Sequence, residues 1–164
     1  AHFPGLVRAA ILEDPPWGGP PNTQAPEQRA ARVAAWRADI VRNKTRPRAD
    51  LIAAGRRRNP AWDESEFETW AEAKQQVSAN VATDIAGRGI RWQDVASRIT
   101  CPVLLITADP TAGAIVTPET AQEALGLCPT LTVAPIAGAG HNIRREQFDS
   151  FVETVTTYLQ TIIA

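Results

Sequence analysis

The chain has 164 residues, and its 17 Lys and Arg stand against 18 Asp and Glu for a net charge of −1. Nothing in that balance invites a nucleic acid or an anionic membrane surface. No window approaches the roughly 18 apolar residues that a membrane span needs, and the N-terminus lacks the basic-then-apolar order of a secretion signal, so a cytoplasmic protein with no membrane or nucleic-acid partner is expected.

The first predicted element is a strand at residues 7–12, "VRAAIL", a short apolar run ended by the Pro- and Gly-rich "EDPPWGGPPNTQAP". From Pro26 the pattern turns helical, with Val33, Trp36 and Ile40 recurring every three or four residues. The Arg56 to Arg58 run reads as a solvated loop. A second helical region follows, in which Ser65 and Glu68 have capping-box spacing and Phe67, Trp70, Val77 and Val81 supply an apolar stripe. Trp36, Trp62 and Trp70 are expected to pack inside this helical part.

"RWQDVASRIT" predicts one more short helix, and "CPVLLIT" a strand buried on both faces. Thr117, Pro118 and Glu119 form a helix start that Gly126 should stop. "TLTVAPI" is the next strand and "AGAGHN" a tight turn. "RREQFDSFVETVTTYLQTII" reads as the last helix, with Phe148, Phe151, Val152, Val155 and Leu159 on one face. Strands alternating with helices imply a parallel sheet of the α/β class. Three strands make half of such a domain. Together with the absence of Met and an opening that runs straight into a buried strand, this leads us to expect a fragment.

His141 follows a buried strand in a Gly-rich turn, a setting that suits either a proton carrier or a helix-capping surface residue. His2 reads as a surface residue. Cys101 and Cys128 have no Cys or His at metal-ligand spacing and read as ordinary thiols. Around Gly113 no phosphate-cradling spacing occurs, so no cofactor is expected.

"CPVLLITAD…VTPETAQ" followed by "TLTVAPIAGAGHNIRREQFDSFVETVTTYL" resembles the C-terminal end of the α/β-hydrolase fold, and "HFPGLVRAAILEDPPW" resembles the stretch of that fold just after the nucleophile helix. The resemblance implies hydrolase core at residues 1–16, a helical cap at 17–98 and the C-terminal core at 99–164. It implies that His141 is the general base of a Ser-His-acid triad. For the acid it leaves Asp109, after the penultimate strand, Asp14, at the position used by dehalogenase-like relatives, and Glu13 beside it. Trp17 could line the substrate pocket or pack under its loop. The sequence departs from the family in having no G-x-S-x-G elbow, and its serines fall in predicted helices.

The expected activity is therefore hydrolysis of an ester, lactone or related bond in a small-molecule substrate, with the serine supplied by an N-terminal half present as a second chain. A dehalogenase or cofactor-free haloperoxidase of the same fold fits the same residues, whereas an epoxide hydrolase is disfavoured because the chain's single Tyr, Tyr158, lies in the final helix. The alternative from another class is a non-catalytic hydrolase-like fragment that associates with a partner chain, or with a second copy of itself, through the open edge of its first strand.

Overall fold

The structure, a computed structural model, describes residues 3–17, 25–82 and 91–163; His2 lies outside them. The chain divides into two compact units, one of residues 1–19 and 90–164, the other of residues 20–89.

In the first unit three parallel strands lie in the order β1 (Ala10–Glu13), β2 (Val103–Thr107), β3 (Leu131–Pro135). Ala10 pairs with Val103, and Val103 with Leu131. All five residues of β2 are buried, as its unbroken apolar run requires of a strand covered on both faces. Its side chains alternate. Val103 and Leu105 join Val116, Ala121, Ala124, Cys128 and Leu131 on one face, under helix α5 (Pro118–Leu127). Leu104 and Ile106 join Ile136, Ala139 and Ile143 on the other, under helix α7 (Phe148–Ile163). Each fully buried Leu or Ile contributes about 1.5–3 kcal/mol, so these two thin layers hold the strand ends that carry the site. Thr117 caps α5, its Oγ1 accepting from the Thr120 amide at 3.2 Å. The helix runs one residue past Gly126 before Cys128 ends it.

The short helix α4 (Trp92–Ala96) belongs to this unit, not to the helical insertion. Trp92 stacks on Trp17 with centroids 5.2 Å apart, and both rings, with Ile99, pack on the Val103–Leu105 face. Both Trp17 and residues 91–98, read as part of a cap spanning 17–98, lie in the first compact unit, and the second runs over residues 20–89.

The last helical region is broken at Gln147 into α6 (Ile143–Glu146) and α7. Phe151, Val155 and Tyr158 cover the sheet, while Phe148, Val152 and Leu159, expected on the buried face, are exposed. Two apolar stripes run along α7. Only one of them meets the core.

The second unit is built from α1 (Pro26–Thr45), α2 (Arg48–Arg58) and α3 (Glu66–Gln76). The stretch read as a solvated loop at Arg56 to Arg58 is the end of α2, and Arg56 forms an ion pair with Glu64. Gly55 lies in that helix because α2 and α3 approach closely: a Cβ there would meet Phe67 Cδ1 at 3.0 Å and Trp70 Cζ3 at 3.1 Å. The capping box is not made, since the Ser65 hydroxyl donates instead to Asp63 Oδ1 at 2.6 Å. Leu51, Ile52, Trp62, Phe67 and Ala71 form the core. Phe67→Ala is expected to destabilise this unit by about 3–4 kcal/mol, read by the fluorescence of Trp62, which packs on Phe67 at 6.0 Å. A melting midpoint unchanged in that signal would contradict the assignment of this core.

Candidate active site

The site is built where β1, β2 and β3 end. β1 finishes at Glu13, and the next residue, Asp14, extends the ladder by one bond, its amide donating to the Ile106 carbonyl at 2.9 Å. Asp14 then adopts φ 35°, the single non-Gly residue with positive φ among the described residues. Asp tolerates this left-handed region better than most residues, yet it costs about 1–3 kcal/mol.

The turn carries the Asp14 side chain into the interior with no exposed surface. A carboxylate so placed needs hydrogen bonds to offset its lost hydration. They come from the loop after β2. The Ile115 amide donates to Oδ2 at 2.8 Å and the Val116 amide to Oδ1 at 2.8 Å. The remaining partner of Oδ2 is His141, whose Nδ1–H donates at 2.8 Å across 127 positions of sequence. The imidazole is half exposed, and its Nε2 has no hydrogen bond among the described residues. A ring fixed at Nδ1 by a carboxylate and free at Nε2 is set to accept a proton there and return it.

The turn that presents His141 is determined by its glycines. Gly138 has φ +75°, and a Cβ on Gly140 would stand 2.3 Å from the Ala112 carbonyl oxygen. The turn is also tied across the sheet edge, where the Asp109 amide donates to the Ala139 carbonyl at 2.9 Å. The Glu146 carboxylate accepts from the Gly140 amide.

Asp109, one of the three carboxylates that the resemblance left open as the acid, is engaged elsewhere. Its Oδ1 accepts from the Thr111 amide at 2.8 Å and from the Thr111 hydroxyl at 2.7 Å, capping the turn Pro110–Ala112. Those bonds hold its carboxyl below the usual carboxylate range. The histidine ring is bonded to Asp14 instead. Of the three carboxylates left open, the structure thus brings Asp14 to the ring and not Asp109, because an Asp before Pro favours a turn of this kind. Glu13 does not meet the ring either. It accepts from the Arg144 amide at 3.0 Å and from Arg144 Nη1 at 2.6 Å. Trp17 commits one face of its ring to Trp92.

Of the four serines, Ser150 lies in α7, Ser65 and Ser97 flank α3 and α4, and Ser78 lies in the turn after α3, so none occupies a strand-to-helix elbow. Among the described residues no three His, Cys, Asp or Glu side chains gather as a metal site would require, and no helix is long and apolar enough to cross a membrane. Sequence reasoning missed the Ile115 and Val116 amides, which carry no side-chain signature, and the Arg144 and Glu146 contacts. Gly140 was open to detection through the G-x-G-H turn.

No family model and no curated protein matches the chain. Solved structures do. It is similar to an E-2-(acetamidomethylene)succinate hydrolase, with a TM-score of 0.69 and 17% identity over 97% of this chain and 60% of that one. It is also similar to an N-formylmaleamic acid deformylase from Pseudomonas putida S16 (TM-score 0.60, 21% identity, 90% of this chain and 56% of that one). A thermophilic esterase from Thermogutta terrifontis matches with a TM-score of 0.61 and 19% identity, over 94% of this chain and 56% of that one. The chain thus spans less than two thirds of the length of these hydrolases, and the part it matches is their C-terminal part. Its fold is the α/β-hydrolase fold, of which these 164 residues hold the C-terminal part, three parallel strands with a helical unit between the first and the second.

Proposed function

We propose that the chain carries the acid–base half of a serine hydrolase acting on a carboxylic ester, thioester or amide bond, with His141 as general base and Asp14 as the acid that orients it. The observation that supports this reading is the 2.8 Å bond from His141 Nδ1 to a carboxylate that is itself wholly buried and held by two backbone amides. A capping histidine has no use for such a partner.

The nucleophilic serine and the amides that stabilise the oxyanion come from polypeptide outside these 164 residues, a reading supported by the 56–60% of the matched hydrolases that the chain spans. That portion adds a strand along the outer edge of β1, which pairs with β2 alone among the described residues, and covers the exposed stripe of Phe148, Val152 and Leu159 on α7. In the acylation step the serine Oγ bonds to the substrate carbonyl carbon while His141 Nε2 takes the hydroxyl proton. The imidazolium, stabilised through Nδ1–H by Asp14, then protonates the departing alkoxide, thiolate or amine. Water repeats the sequence and releases the acid.

The test is fluorophosphonate labelling of the assembled protein, the chain joined to the portion encoded before it. One label is expected, on a serine of that portion, and His141→Ala should slow labelling by about three orders of magnitude. A folded assembly that takes no label would overturn the proposal.

A further inference from the structure

The dyad is one of two bridges between the end of β1 and the histidine turn. Glu13 and Asp14 are neighbours, and residues in an extended strand would send their side chains to opposite faces. The left-handed turn at Asp14 breaks that alternation. Both carboxylates then reach the same segment: Asp14 takes the imidazole of His141, and Glu13 takes the backbone amide of Arg144 with one oxygen and its guanidinium with the other.

We infer that Glu13 and Arg144 form a positioning clamp that holds the turn of His141 at the distance Asp14 requires, an inference that rests on the dyad proposed above. Three features support it. The Glu13 side chain is 18% exposed and spends both carboxylate oxygens on one residue, Arg144, so the two bonds fix its position together. It grips the chain three residues after His141, while Gly140, just before the histidine, is held by the Glu146 carboxylate and by close contact with Ala112. The base is thus fixed from both sides by groups that do not touch its ring. And α6, four residues long, is too short to hold the turn by its own hydrogen bonds. Neither Glu13 nor Arg144 contacts the reacting atoms, so both act only through His141.

The experiment uses the assembled protein with 15N-labelled histidine, the His141 Nδ1–H resonance being assigned by its loss in His141→Gln. In Glu13→Ala the exchange of that proton with water should quicken at least tenfold, and kcat should fall about tenfold with KM within twofold, the pattern of a misplaced base. Glu13→Gln, which can still accept from the Arg144 amide, should recover kcat to within about threefold. Arg144→Ala keeps that backbone bond and should cost about threefold, which guards against a Glu13→Ala protein that fails to fold. If proton exchange and kcat are unchanged in both Glu13→Ala and Arg144→Ala, the clamp is overturned while the dyad stands. If the unsubstituted protein shows no such proton, and Asp14→Asn leaves the ring tautomer unaltered, the dyad reading itself falls.

Discussion

Under the proposed function, replacing Asp14 by Asn in the assembled protein is expected to lower kcat about 10⁴-fold, while the matching change at Asp109 leaves it within about threefold. The contrast follows from what each carboxylate holds. At Asp14 an amide would have to satisfy Ile115 N–H, Val116 N–H and His141 Nδ1–H, all donors, with a single acceptor oxygen. Either a backbone donor goes unpaired, at about 1–3 kcal/mol, or the ring is met by an NH2 group and turns to the wrong tautomer. The Asp109→Asn change would keep an oxygen for the Thr111 amide and lose only charge at an exposed turn. A thermal melt run beside the kinetics separates loss of the acid from loss of the fold. The reverse pattern, activity surviving at position 14 and lost at 109, would return the acid to the loop after β2.

Gly140→Ala should also be severe, for a different reason. The atoms a Cβ would meet, Ala112 O at 2.3 Å and Ala112 C at 3.1 Å, are backbone and cannot rotate away. The turn they belong to is fixed by the Asp109 cap and by the Asp109 amide on Ala139. The histidine turn must therefore yield. We expect a stability loss of about 1–3 kcal/mol from overpacking and a fall in kcat of about 100-fold, the effect of displacing a base by roughly 1 Å. Gly126→Ala is the control: a Cβ there meets nothing within 4 Å, and Ala in the helix should add about 0.5–1 kcal/mol. Equal melting midpoints and rates for Gly140→Ala and the unsubstituted protein would show that the two turns do not constrain each other.

Much of this architecture was legible in the residues. The unbroken "VLLIT" required a strand covered on both faces, and Thr117-Pro118 required a helix start; both stand where expected. What escaped reading was set by tertiary contact. α2 carries a Gly and three successive Arg in its second half, which weakens any periodic signal, and that Gly is there for Phe67 and Trp70 to approach. The α7 stripe misled because apolar residues occupy an arc wider than the face the sheet can cover. The Gly-rich turn drew attention to His141 but left a proton carrier and a capping residue both open, and only the family resemblance favoured the first. Its acid was not legible, because the choice between Asp14 and Asp109 depends on which loop lends its backbone amides and which carboxylate is spent on its own turn.

The sequence separation of the dyad has a consequence for when the site can come into being. Its two members lie 127 positions apart, and β1, made well before β2, finds that parallel neighbour only after the helical insertion has been synthesised. Until then its apolar side chains and open edge are exposed to whatever else is nearby, the condition under which nascent chains aggregate. Loop-closure entropy must be overcome before that pairing yields anything. On the ribosome the pairing of His141 with Asp14 therefore cannot form until the histidine turn has left the exit tunnel, and a chaperone that shelters the early strand should raise the yield of folded protein more than one that acts after release.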